Sequence, residues 1–403
     1  MLLRTLWARE RLLGRQHGNR GGCRADKRYG TFETASREGG ENGLPASPPN
    51  PLDSAGANWM AFIDDETLMS ALTLPGTHDS AAFTISWPFV QTQKMDVTYQ
   101  LDAGIRYFDL RCAVRGGVVE MVHGLSYLGI TLSTVLDAMY TWLMFHESEA
   151  IVVQIKQDRG TEDSDMHFAQ AIWKVLHLKP ERWRTANTAP ALGELRGKIQ
   201  LLRRFKGPSM HALGIDVSKW QDNPERPFTI HTRHGVNITI QDHYSFSGHE
   251  SLPHLVTKKG GDVAELLNRA SADPTAGHWY INFTSAFEFN LYYQLPPKQV
   301  ALGGYWGFRW EEGMNLRLRN YLRERPGRRR FGIVAMDFPE SGAEDLITTL
   351  IQSNFGSRSG GSNKKQLIAD ALLVLLVIFL FGLAISPYLV STPKSWWRLD
   401  NCK

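Results

Sequence analysis

An α/β barrel is the fold class that this 403-residue chain predicts, and three observations predict it. Between residues 58 and 352, short apolar runs alternate with longer stretches of helical period, the pattern of a parallel sheet covered by helices. The short runs number eight, the strand count of a closed TIM-type (β/α)8 barrel. Nearly every run ends at a polar or ionisable residue, and strand C-terminal ends are where such a barrel places its working groups.

The runs predict strands over 72–74, 107–110, 118–122, 151–155, 199–202, 236–240, 280–283 and 333–336, with helices over 132–145, 165–176, 262–271 and 314–324 between several of them. In the first run Leu72, Thr73 and Leu74 meet Pro75-Gly76, which reads as a turn presenting Thr77, His78, Asp79 and Ser80. A histidine there can take a proton near neutral pH, and the adjacent carboxylate can orient it or a substrate hydroxyl. The other run ends supply Arg111, His123, Lys156, the pair Arg203 and Arg204, Asp242, Ser285 and Asp337. An inert barrel would end its strands in turn residues, whereas two histidines, several cations and two aspartates converging on one rim make an active-site composition.

Composition bounds the function classes. A 42% hydrophobic content allows a large core, and 45 basic against 41 acidic residues, spread along the chain, do not mark a nucleic-acid binder. The three cysteines, Cys23, Cys112 and Cys402, are too dispersed for a metal or redox motif and too few for a disulfide framework.

Residues 1–57 read as a basic arm or organelle targeting segment, since they lack a sustained apolar period and a secretory core. A polar linker over 353–366 leads to an apolar segment, 367–390, whose stretch 371–390 is free of charge and long enough for ~30 Å of helix, a membrane span. The polar tail 391–403 follows. That tail, with the lack of a secretory signal, favours a single-pass C-terminal anchor over the rival reading, a GPI-attachment signal, and a cytosolic catalytic domain.

The sequences NWM (58–60), LPGTHDS (74–80), GIRYFDLR (104–111), VHG (122–124), IVVQIKQD (151–158), LRGKIQLLRRF (195–205), TIQDHY (239–244) and YINFTS (280–285) occur in an order that resembles the X domain of phosphatidylinositol-specific phospholipase C. The resemblance spans residues 58–339 and is strongest to the metal-independent bacterial type and its fungal relatives. It implies a distorted (β/α)8 barrel that cleaves an inositol phospholipid to diacylglycerol and a cyclic inositol phosphate, with no cofactor, no metal and no obligate protein partner. By resemblance, His78 is the base on the inositol 2-hydroxyl, Asp337 orients it, His123 is the acid on the leaving oxygen, Arg111 neutralises the phosphoryl oxygens and Asp79 supports the pair. Lys156, Arg204, Asp242 and Tyr244 match residues that hold the inositol ring. Calcium-dependent relatives carry a metal-binding carboxylate where Arg111 stands. Trp87, Phe89, Phe287 and Phe289 follow strand ends, where large apolar groups are expected to touch the lipid surface. Another phosphodiester lipid as substrate, or an inactive lipid-binding module, are the alternative readings.

Overall fold

The computed structural model describes residues 56–356, apart from 159–163, 208–212, 247–249 and 291–293. The basic arm and the apolar run 371–390 therefore lie outside the described residues. Among the described residues, no helix is long and apolar enough to cross a membrane.

In chain order the strands are β1 (Leu74–Thr77), β2 (Tyr107–Arg115), β3 (Val118–His123), β4 (Ser126–Thr131), β5 (Ile151–Gln157), β6 (Trp183–Arg184), β7 (Ile199–Arg204), β8 (Ile215–Asp216), β9 (Phe228–His231) and β10 (Asn237–Gln241), then β11 (Trp279–Phe283), β12 (Glu288–Phe289), β13 (Gln294–Leu295), β14 (Gly303–Trp306), β15 (Arg309–Glu312) and β16 (Ile333–Met336). The helices are α1 (Val97–Asp102), α2 (Leu132–Phe145), α3 (Asp165–Leu176), α4 (Leu192–Leu195), α5 (Leu252–Ala272), α6 (Pro297–Leu302), α7 (Met314–Arg323) and α8 (Leu346–Gln352). The parallel sheet runs β7-β5-β2-β1-β16-β11-β10. Short β6 and β8 extend it in parallel beside β7, and β9 adds an antiparallel edge beside β10. Val152, Val153, Leu201, Ile240, Ile281 and Val334 fill the buried strands, which are apolar on both faces because helices cover the outside.

Seven of the eight expected strands join this parallel sheet; the run 118–122 does not. It becomes β3, antiparallel to β2 and β4. Only Gly116 and Gly117 separate it from β2, both at positive φ, and a two-residue turn can make a hairpin but never the crossover that a parallel neighbour requires. Backbone pairing does not close the ring among the described residues. Instead side chains span the gap between β7 and β10: an Arg204 Nη2 lies 3.3 Å from Asp242 Oδ2, Trp220 Nε1 donates to the same oxygen at 2.8 Å, and the Arg204 guanidinium stacks 4.0 Å above the Trp220 ring. The fold is thus an open, side-chain-sealed barrel rather than a closed eight-stranded one.

The Pro75-Gly76 turn is also corrected. Both residues lie inside β1, opposite Val334 and Ala335 of β16. Pro75 forgoes one ladder donor, yet its carbonyl accepts from the Arg106 amide at 2.8 Å. Gly76 is needed because the Tyr107 ring packs against the strand there; a Cβ would sit 2.7 Å from Tyr107 Cδ1. The helix expected over 262–271 begins ten residues earlier, at Leu252. Gly260 and Gly261 disfavour its interior by ~1 kcal/mol each, but buried Leu255, Val256, Val263, Leu266 and Leu267 outweigh that propensity.

At the opposite end from the strand C-termini, Arg106 is fully buried and pairs with fully buried Glu149. Its Nε and Nη2 donate to Glu149 Oε2 at 3.0 and 2.7 Å, and its remaining N–H groups reach the carbonyls of Leu101, Ile105, Gly56 and Ala57. Trp59 and Trp142 lie against the guanidinium. Burial lowers the Arg106 pKa, and the Glu149 charge opposes that shift. We expect Glu149→Ala to lower unfolding stability by ~3–5 kcal/mol, because it strands a buried charge. The urea midpoint measures this, and a loss below ~1 kcal/mol would show that water solvates Arg106.

Candidate active site

The site is built where the parallel strands end. His78 follows β1, and Asp79 next to it adopts φ +42°, an uncommon conformation for a residue other than glycine. That backbone turn directs both side chains of the pair at one spot. Asp79 Oδ2 lies 3.3 Å from His78 Nε2 and 3.2 Å from His123 Nε2, while Asp79 Oδ1 lies 2.8 Å from Arg111 Nε. The two imidazoles face each other edge to face with centroids 6.3 Å apart. One buried carboxylate therefore stands among two histidines and a guanidinium.

The other contacts assign the protons. Asp337, just past β16, accepts at 2.8 Å from His78 Nδ1, so Nδ1 carries hydrogen and Nε2 of a neutral ring keeps its lone pair. Arg111 Nη2 donates to that Nε2 at 2.8 Å. His123 Nδ1 points at the Val90 carbonyl, 2.7 Å away, so in the imidazolium its Nε2–H faces Asp79. Such a ring has a proton to give. His78 offers a lone pair and His123, when protonated, a donor, each aimed at the same place.

Electrostatics follow from burial and these neighbours. Burial pulls the His78 pKa down, but attraction from Asp337 and Asp79 outweighs it and the net shift is upward. Burial raises the Asp79 carboxyl, with the Arg111 charge opposing and failing to cancel it. For Asp109 burial also raises the pKa, yet Arg111 and His78 win and hold it below the usual carboxylate range. Arg111 itself loses to burial less than it gains from Asp79 and Asp109, so it stays charged. Asp109 is held in turn by Gln154 Nε2 at 2.5 Å and contacts Arg111 Nη2 at 3.2 Å.

Around this centre the rim gathers the other expected residues. Arg204 faces Asp242, and its neighbour Arg203 turns to Asp216, as alternation along a strand demands. Lys156 pairs with Asp158 at 2.6 Å, and the second Asp158 oxygen accepts from Gly124 N at 2.9 Å, which ties the turn after His123 to β5. Tyr244 stacks on Phe287 with centroids 5.9 Å apart, and its hydroxyl donates to Asp222. Of the four expected lipid contacts, Trp87 and Phe289 are exposed, at 63% and 53%. Phe89 and Phe287 are half-buried, because they pack edge to face on each other and Phe89 also on Phe289. These ring contacts join the two loops.

Several contributors went unread in the sequence. Trp220 lies in an irregular stretch, and only the fold brings it beneath Arg204. Asn315, at the start of α7, donates to the Asp337 and Phe338 carbonyls at 3.0 and 2.9 Å and so fixes the turn that carries Asp337. The hairpin β14–β15 springs from the same end of α7 and exposes Tyr305, Phe308 and Trp310 at 70%, 108% and 53%. The exposed aromatics of GYWGFRW around the Gly307 turn were the available signal.

A parallel α/β barrel with an acid, a base and a guanidinium at its C-terminal rim defines an enzyme of acid–base chemistry on an anionic group. Residues 72–205 match the family model described as phosphatidylinositol-specific phospholipase C, X domain. It is 26% identical over 322 residues to a 1-phosphatidylinositol phosphodiesterase of Staphylococcus aureus, covering 75% of this chain and 96% of the relative. The corresponding protein of Listeria monocytogenes is 28% identical over 313 residues, with 73% and 84% covered. A crystal structure of the phosphatidylinositol-specific phospholipase C from Staphylococcus aureus superposes with a TM-score of 0.64 at 25% identity, over 76% of this chain and 99% of that one.

Because Asp337 raises the His78 pKa by both charge and hydrogen bond, Asp337→Asn should lower it. Titration of the 15N-labelled imidazoles by NMR checks this: the His78 midpoint should move to lower pH. An unmoved midpoint would mean that Asp337 does not hold the ring in solution.

Proposed function

We propose that this protein cleaves phosphatidylinositol to diacylglycerol and a cyclic inositol phosphate by general acid–base catalysis. The placement of His78 and His123 on either side of Asp79, with Arg111 against His78 and Asp79, carries the reading. The near-complete coverage of relatives named 1-phosphatidylinositol phosphodiesterase supports it.

His78 Nε2 takes the proton of the inositol 2-hydroxyl, whose oxygen attacks phosphorus. The bond from phosphorus to the diacylglycerol oxygen breaks, and His123 gives that oxygen its proton. Arg111 stabilises the negative charge that builds on the non-bridging oxygens, a task suited to a planar guanidinium. Asp337 keeps His78 in the correct tautomer, and Asp79 steadies the His123 imidazolium and Arg111. Lys156, Arg204, Asp242 and Tyr244 surround the space for the inositol ring. Arg111 already neutralises Asp79 and Asp109, so a divalent cation would meet a competing positive charge there.

The run 371–390 would tether the catalytic domain to the membrane that holds its substrate, with the domain on the cytosolic side. Trp87, Phe289 and the β14–β15 hairpin would meet the lipid surface, since aromatic side chains favour the membrane interface.

Two measurements test this reading. Full-length protein in detergent, given radiolabelled phosphatidylinositol in excess EGTA, should release cyclic inositol phosphate, and His78→Ala or His123→Ala should each lower turnover at least ~100-fold. Near-normal turnover in either variant would remove that residue from the mechanism, and dependence on added calcium would overturn the role of Arg111. For the surface, replacing Trp87, Phe289 and Phe308 together by Ala should weaken vesicle binding by more than ~10-fold, given ~1.5–3 kcal/mol for burying each such group. Hydrolysis of a soluble substrate analogue should be spared; equal loss on both substrates would show that these side chains support the fold.

A further inference from the structure

Lys259 is a buried cation that the mechanism above does not use. It lies on α5 with no solvent exposure, although lysine is almost never fully buried unless paired. Its partners are two neutral oxygens. Nζ donates to the His243 carbonyl at 2.6 Å and to Gln241 Oε1 at 2.9 Å. An apolar side chain could fill the same space without the desolvation penalty of an ammonium, so the charge needs another reason.

The two acceptors belong to the turn that leaves β10. Gln241 Oε1 also accepts from the His243 amide at 2.9 Å, while Gln241 Nε2 donates to Asn282 Oδ1 and the Phe283 carbonyl of β11. Asp262, on the Lys259 face of α5, accepts from His243 Nδ1 at 2.9 Å. Gln241 and His243 thus point at α5. Asp242 points the other way, to Arg204 and Trp220, and the Tyr244 ring lies against Phe287. Those last two are the headgroup residues of the function proposed above, on which this inference rests.

We propose that Lys259 is a positioning residue for headgroup recognition, its ammonium and the Asp262 carboxylate clamping the 241–244 turn so that Asp242 and Tyr244 hold their places at the rim. An ammonium suits the task because one group with three donors meets two converging oxygens, and charge-assisted bonds are stronger than neutral ones. Burial lowers the Lys259 pKa to about 8, against the opposing pull of Asp242, Asp262 and Asp337. The titratable and charged groups around it are His243 and, more distantly, the outward-turned Asp242 on the turn, Asp262 on α5 and Asp337 beyond β16. The neighbouring β11 contributes the neutral Asn282. As pH rises through about 8 the amine loses its charge, the clamp weakens, and substrate affinity should fall.

Full-length protein carrying Lys259→Met tests the clamp in two ways. Amide hydrogen exchange at His243, Tyr244 and Ser245, read without any substrate, should quicken by about tenfold while β11 and β16 stay protected. The KM for phosphatidylinositol in mixed micelles should rise by about tenfold with kcat within about threefold, and the rise in KM that the unaltered protein shows between pH 7 and 9 should vanish. Should Lys259→Met fail to fold, Lys259→Gln keeps a donor without the charge, and it should show a smaller rise in KM and likewise no pH step. Unchanged exchange at the turn, or a fall in kcat with KM unmoved, would overturn the proposal. Absence of any phosphatidylinositol turnover in the unaltered protein would instead sink the proposed function, and the exchange measurement would still decide the clamp.

Discussion

The site depends on a carboxylate placed where water cannot reach it. Asp79 is 2% exposed, and an unpaired charge at such a depth is strongly unfavourable. Arg111 and the imidazoles of His78 and His123 surround it, so the buried guanidinium is tolerated because of the anion and the anion because of the guanidinium and the ring nitrogens around it. This mutual dependence sets the spacing of the proposed acid and base. It also accounts for the left-handed backbone at Asp79, since an extended conformation would turn the side chain out of the cluster. The strain is local and the surrounding contacts hold it: the Ser80 amide donates to the Asp109 carbonyl, and the Ser80 hydroxyl accepts from the Asp109 amide.

The way the sheet curls serves the same end. β7 and β10 lie at opposite ends of the parallel hydrogen-bonded path, yet Arg204 and Asp242 at their tips touch. Twist brings the two edges round, and polar side chains seal the gap that backbone pairing leaves open. Such a seal rests on a few side-chain contacts rather than on a backbone ladder. The polar residues at the seam are thus both a structural closure and, in the proposed function, the recognition surface, with Lys259 and Asp262 supporting one side from behind. The opposite end of the barrel is held differently, by the Arg106–Glu149 pair wrapped in backbone carbonyls and tryptophan rings.

Much of this was legible in the chain itself. The apolar runs located the seven strands from β7 to β10 of the main parallel path but not the two-residue β6 and β8, because a strand buried on both faces has few alternatives to valine, isoleucine and leucine. His78, His123 and Asp337 were legible because they end or follow strands, and Arg111 because the apolar run stops there although β2 itself continues to Arg115. The run 118–122 carried the same apolar signal as the true staves, and only the two-glycine spacing before it disclosed a hairpin. At Pro75-Gly76 local turn propensity pointed one way and the pairing with β16 prevailed, since ladder bonds and the packing on Tyr107 outweigh the preference of two residues.

The sequence by itself therefore determined which residue types meet at the strand ends, because hydrophobic periodicity and strand length are properties of consecutive residues. Only the tertiary structure decided that Asp79 sits between two imidazoles, that Trp220 stacks on Arg204, that Asn315 fixes the Asp337 turn and that Lys259 grips the backbone behind Asp242. Apart from the one between the neighbours His78 and Asp79, each of those contacts joins residues from 16 to 44 positions apart in the chain. Their distances are set by how strands twist and helices pack, which no local pattern encodes.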